Sequence, residues 1–175
     1  YGDELHAVQG RPEDAALASN DPPERLAAWA GSISDDAVRE LDLKLLADLV
    51  RAESDAGRLR KILDVLHAHA LEASEAGDWE AVARTVDAIQ AVVSGSPDRT
   101  LRVLAAETLE KLGASVAAEH ALTALPGATP ACADLLVAVL AAIGAPLMPA
   151  IARRWAAEHQ LPVRARFERA VAAAG

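Results

Sequence analysis

Residues 101–113 read Leu-Arg-Val-Leu-Ala-Ala-Glu-Thr-Leu-Glu-Lys-Leu-Gly, an apolar stripe at helical spacing closed by a glycine. Leu101, Ala105, Leu109 and Leu112 fall on one face of a helix turning 100° per residue. The pattern returns 31 residues later. Cys132, Ala133, Leu136, Val137, Leu140 and Ile143 stand at the same offsets before Gly144 as Leu101, Arg102, Ala105, Ala106, Leu109 and Leu112 before Gly113. A third copy, Val163, Arg164, Phe167, Glu168, Val171 and Ala174, precedes Gly175. Amphipathic helices ending in the same residue at a constant period predict a stacked helical repeat, each glycine serving as a C-cap.

Composition points the same way. Hydrophobic residues make up 52% of the 175, yet aromatics only 3%, and Ala fills 42 positions. Alanine is the strongest helix former and its small side chain lets helices approach closely. Aromatic-rich, β-branched runs of the kind that build strands are missing. The expected class is all-α, as a right-handed α-solenoid of antiparallel helix pairs.

Taken from the start, residues 1–21 lack a sustained apolar period and read as a tail or linker. Residues 22–175 read as a single helical-repeat domain, with its clearest repeats at 78–113, 114–144 and 145–175. Asp21-Pro22-Pro23 opens a short helix through Trp29. Ser34, Asp35 and Asp36 cap a helix over 37–53 whose Val38, Leu41, Leu45 and Leu49 are expected to face inward. Leu43, Leu46 and Val50 widen that stripe, predicting cover on two sides. Helices follow at 57–76, from Gly77-Asp78 to Val93, at 98–112, 115–125, 130–143, 146–159 and 162–174. The helix 130–143, charged only at Asp134, is expected to be the most buried element.

At this point a resemblance can be named. Leu101-Arg102-x-x-Ala105-Ala106-x-Thr108-Leu109-x-x-Leu112-Gly113 resembles the second helix of a HEAT-type repeat, V-R-x-x-A-A-x-A-L-G-x-I-G. Pro162-Val163-Arg164 with Ala174-Gly175 resembles it again, and Pro146 and Pro149 sit where HEAT first helices often carry proline. The middle copy departs, with Cys132-Ala133 in place of Val-Arg, which leaves it without the arginine of the usual inter-repeat Arg–Asp contact. The similarity covers residues 96–175. The Gly-Asp-Trp-Glu-Ala turn at 77–81 is similar to a tetratricopeptide turn, without its 34-residue period. The HEAT resemblance, of bacterial type, implies an α-solenoid that presents a curved surface to a protein partner and carries no catalytic residues.

Charge and chemistry bound the function. The net charge is −9, with 19 Asp/Glu against 9 Lys/Arg in residues 1–87 and 7 against 8 in residues 88–175. An acidic chain repels phosphate backbones, so nucleic acid is disfavoured as a partner. Cys132 is the single cysteine and forms no internal disulfide, which fits a cytoplasmic protein. The first residue is not Met, and the chain is expected to be part of a larger protein. Leu135–Ala152 is an uncharged run of 18 residues, but Gly144, Pro146 and Pro149 interrupt it, so no membrane insertion is expected.

His67 and His69, two apart on a helix, point away from each other and do not form a metal pair. His6, His120 and His159 are scattered singly. Cys132 lacks a local base and takes a core position of its repeat. No phosphate-binding loop, nucleophile elbow or metalloprotease motif occurs. No catalytic, cofactor or metal residue is assigned, and no enzyme activity is expected.

Only one group of charges stands out. Arg153, Arg154, Arg164, Arg166 and Arg169 face only Glu158 and Glu168, a net of +3 over residues 153–169. The expectation is a protein–protein interaction or scaffold module that uses these arginines on an acidic partner, with self-association through the acidic N-terminal half as one form of it. The competing readings are a merely solvated last repeat, a structural spacer between domains, and a nucleic-acid-binding or DNA glycosylase-type enzyme of the HEAT-like class.

Overall fold

The computed structural model of the chain describes residues 35–174. The tail at 1–21, the helix opened by Asp21-Pro22-Pro23, the Ser34 cap and Gly175 lie outside the described residues. Every regular element among those described is helical. Among the described residues there are eight α-helices: α1 (Asp35–Ala52), α2 (Ala56–Ala76), α3 (Trp79–Gly95), α4 (Arg99–Gly113), α5 (Val116–Ala124), α6 (Pro130–Ile143), α7 (Met148–Ala157) and α8 (Leu161–Ala174). Short 3₁₀ turns, Leu125–Gly127 and Ala145–Leu147, follow α5 and α6. The compact unit they build runs from Glu40 to Gly175, and the first turn of α1 precedes it.

Local chemistry sets the helix ends. The Asp55, Asp78 and Asp98 side chains accept hydrogen bonds from the backbone N–H of Arg58 (2.8 Å), Ala81 (3.0 Å) and Thr100 (2.6 Å). Each satisfies a donor that the first helical turn cannot pair, worth about 1 kcal/mol per cap. Thr129 caps α6, with Pro130 as the first helical residue. Gly77 closes α2 at a φ of 73°, a left-handed position, as the Gly77-Asp78 pair predicts.

The glycine ladder turns out to hold two different devices. Gly144 is a C-cap with a φ of 60°. Gly113 is instead the last helical residue of α4, and the C-cap is Ala114. What Gly113 provides is proximity. A Cβ built there would lie 2.9 Å from the carbonyl oxygen of Ile143 and 3.7 Å from Pro146 Cβ. The end of α4 thus rests on the main chain that ends α6, one sequence period later.

Packing follows from the buried faces. α2 packs on α3, α4 and α5; α3 packs on α4 and α6; α6 also meets α4, α5 and α8; and α7 packs on α8. α1 lies against α3, where Leu43 and Val50 join the core and Glu40 meets Arg84. In order, α3, α6 and α8 are neighbours in one row, and α1 is tied to α3 through Glu40 and Arg84. The repeat positions are buried as read: Leu101, Ala105, Leu109 and Leu112 in α4, and Ala133, Leu136, Leu140 and Ile143 in α6. Val163 and Phe167 do the same in α8.

Two expectations need correction. α6 is not the most deeply set helix. α3 buries Val82, Ala83, Thr85, Val86, Ala88, Ile89 and Val92, against five residues of α6. Its charges Glu80, Arg84 and Asp87 are exposed and left the burial of the rest unannounced. The second correction concerns α1. Val38, Leu41, Leu45 and Leu49 do not face inward; they are 44, 57, 53 and 54% exposed. The inner face is Leu43, Leu46, Ala47 and Val50. Both sets have helical spacing, with directions roughly 140° apart at 100° per residue. Only one of them meets α3, so among the described residues α1 is covered on one side.

The buried hydroxyls of Ser74, Thr85 and Thr108 donate to the carbonyls of Leu71 (2.7 Å), Ala81 (2.9 Å) and Leu104 (2.9 Å), so they enter the core without an unpaired donor.

Substitution tests both corrections. Leu140→Ala is expected to lower stability by about 2–5 kcal/mol, whereas Leu45→Ala stays within about 0.5 kcal/mol of the parent in urea unfolding. Gly113→Ala would gain about 1 kcal/mol of helix propensity. Its Cβ contact with the Ile143 carbonyl reverses the sign, giving a net loss of about 1–3 kcal/mol. Gly95→Ala serves as control: it meets open space, and a gain of about 0.4–1 kcal/mol is expected. Equal midpoints for Gly113→Ala and Gly95→Ala would show that the α4–α6 approach is loose.

Candidate functional site

The five C-terminal arginines come from α7 and α8, and each finds a partner within the chain. Arg154 Nη2 lies 3.3 Å from Thr123 Oγ1 and 3.7 Å from Glu119 Oε2, both on α5. Arg166 is the most committed. Its Nη1 donates at 2.9 Å to each of the Leu125 and Pro126 carbonyls, in the 3₁₀ turn after α5. Those carbonyls belong to a helix end whose acceptors have no helical donor, and a forked guanidinium reaches two at once. Arg169 Nη2 pairs with Asp134 Oδ1 of α6 at 2.8 Å, an inter-helix Arg–Asp contact made from another register than the one the HEAT pattern implies.

Arg164 is engaged on its own side. Its guanidinium carbon sits 4.4 Å from the centroid of the Trp155 ring, and Nε is 3.7 Å from Glu168 Oε1. The same Glu168 oxygen accepts from Trp155 Nε1 at 3.1 Å, so cation, ring and carboxylate form a closed triad between α7 and α8. Arg153 differs from the rest. Its Nε donates to the Pro149 carbonyl of its own helix at 3.3 Å, and it makes no ion pair among the described residues. The partners of Arg154, Arg166 and Arg169 lie on α5, on its following turn and on α6, so these three staple α7 and α8 down rather than converge with the others on one outward patch.

Arginine works the same way earlier in the chain. Arg102 Nη1 donates to the Ser96 carbonyl at 2.8 Å and so holds the loop before α4. Arg84 bridges Glu80 (2.8 Å) and Glu40 (2.9 Å), tying α1 to α3. Those hydrogen bonds, Glu80 first and Glu40 second, raise the guanidinium pKa above its ordinary value. A raised base contributes stability below its unfolded pKa and loses it only above the folded one. That window lies far on the alkaline side, so the Arg84 shift leaves stability level across neutral pH.

What the sequence reading did not single out is a groove beside the triad. Met148, Ala152 and Trp155 of α7 and Val171 and Ala172 of α8 line it, with Glu168 on its wall, and it encloses about 300 Å³. Met148, Ile151, Ala152 and Trp155 recur at helical spacing along α7. In the structure Ile151 alone goes fully into the core, while Met148 and Trp155 remain half-buried and Ala152 exposed. The signal was available in the spacing: Met148, Ala152 and Trp155 stand at i, i+4 and i+7, a line offset from Ile151.

The remaining candidates are quieter. Cys132 is a half-buried free thiol packed on the core. His120 Nδ1 lies 3.2 Å from Ser74 Oγ, linking α5 to α2, and His67 Nε2 is buried without a hydrogen-bond partner. His159 is exposed, and His6 lies outside the described residues. Among the described residues no three His, Cys, Asp or Glu side chains come together as a metal site, and no helix is long and apolar enough to cross a membrane. Searches of protein-family models, curated proteins and solved structures find no match to the chain.

The division of labour among the arginines can be measured. Arg166→Ala removes two charge-assisted bonds to partly buried carbonyls, and a loss of about 1.5–3 kcal/mol is expected. Arg153→Ala is expected to stay within about 0.5 kcal/mol. Similar urea midpoints for the two variants would place Arg166 among the solvated charges.

Proposed function

We propose that this chain is a protein–protein interaction module, a HEAT-like α-solenoid without catalytic activity of its own, working as part of a larger cytoplasmic protein. The observation that carries the reading is the outer face of α1. Leu41, Leu45 and Leu49 stand in line there, each more than half exposed, on a unit whose other leucines at repeat positions are buried. The other exposed apolar residues, Val65, Val103, Val116 and Leu161, are dispersed over four helices. Single exposed aliphatics are ordinary; an aligned row marks a contact surface.

The repeat reading is supported by the contact of Gly113 with the end of α6 and by the row α3, α6, α8. A stack of this kind offers extended faces to partners. The five arginines play a smaller part than their number suggests, because Glu119, Asp134 and Glu168 already balance three of them. That pairing also removes the positive field a nucleic-acid-binding or glycosylase reading requires. Arg153, free of such a carboxylate, remains the arginine best placed to meet an acidic partner.

The test is affinity capture with the tagged full chain beside a variant carrying Leu41→Glu and Leu49→Glu, both checked for parental helix content. Proteins retained by the parent and lost by the variant are expected. An identical set of retained proteins, or none for either, overturns the interaction reading and leaves a spacer.

A further inference from the structure

We draw no further inference here: the strongest candidate, the groove of about 300 Å³ between α7 and α8 lined by Met148, Ala152, Trp155, Val171 and Ala172, is an apolar face, and nothing in the structure shows what covers it.

Discussion

The contact of α3 with α6 is the one on which the other helices depend. α2 lies on α3, α5 and α8 lie on α6, and α4 touches both; α7 is attached at one remove, through α8, and α1 is tied to α3 by the Glu40–Arg84 pair. Two helices can serve as a common base only if most of their circumference is apolar and small enough for close approach. α3 achieves this with Ala83, Thr85 and Ala88 set between Val82, Val86, Ile89 and Val92. α6 does it with a single charge, Asp134, which Arg169 then covers. In a chain with so few aromatics, close approach of many small surfaces replaces the burial of a few large rings. The dense contact of aliphatic groups then supplies the dispersion and transfer terms that hold the unit.

That dependence explains the uneven legibility of the sequence. Helix limits were readable because they are local: Asp78 and Asp98 announce their caps and Gly77 its turn, whatever lies around them. The buried faces of α4 and α6 were readable because each has one apolar stripe and one polar side. α1 was not, because it carries two stripes, and periodicity has no term that says which of them a neighbour will cover. The choice falls to Leu43 and Val50 through α3, with Glu40 meeting Arg84 at the margin. Burial of α3 was underestimated for a related reason: its charges mark only the side it turns to solvent, and nothing in its own sequence reports how many helices share the rest.

The arginines show where charge counting stops being informative. Five cations within seventeen residues look like a surface field, yet three of them take partners 31 to 41 residues away, namely Glu119 and Thr123, the Leu125 and Pro126 carbonyls, and Asp134, and a fourth, Arg164, is held by the Trp155–Glu168 pair. Two of these acceptors are backbone carbonyls, which no inventory of side chains contains. They become available because the 3₁₀ turn at Leu125–Gly127 leaves its oxygens unpaired at a helix end. A guanidinium suits such a place better than an ammonium, since its fork reaches two acceptors and keeps its charge when partly dehydrated. The cluster is thus an architectural device that holds α7 and α8, with Arg153 as its outward remainder.

The same packing separates stability from interaction. Leu43 and Val50 hold α1 to the unit, while Leu41, Leu45 and Leu49, on the opposite side of the helix, contribute nothing to that contact. Ile151 and Phe167 hold α7 and α8, while Met148, Ala152 and Ala172 line a groove the core does not use. On α1 and on the α7–α8 pair, then, fold and exposed apolar surface rest on different residues of one short segment. Apolar side chains held in water without a folding role gain free energy only when another surface covers them, about 25 cal/mol for each Å² removed from water. A unit built this way can lose either surface to substitution and keep its fold.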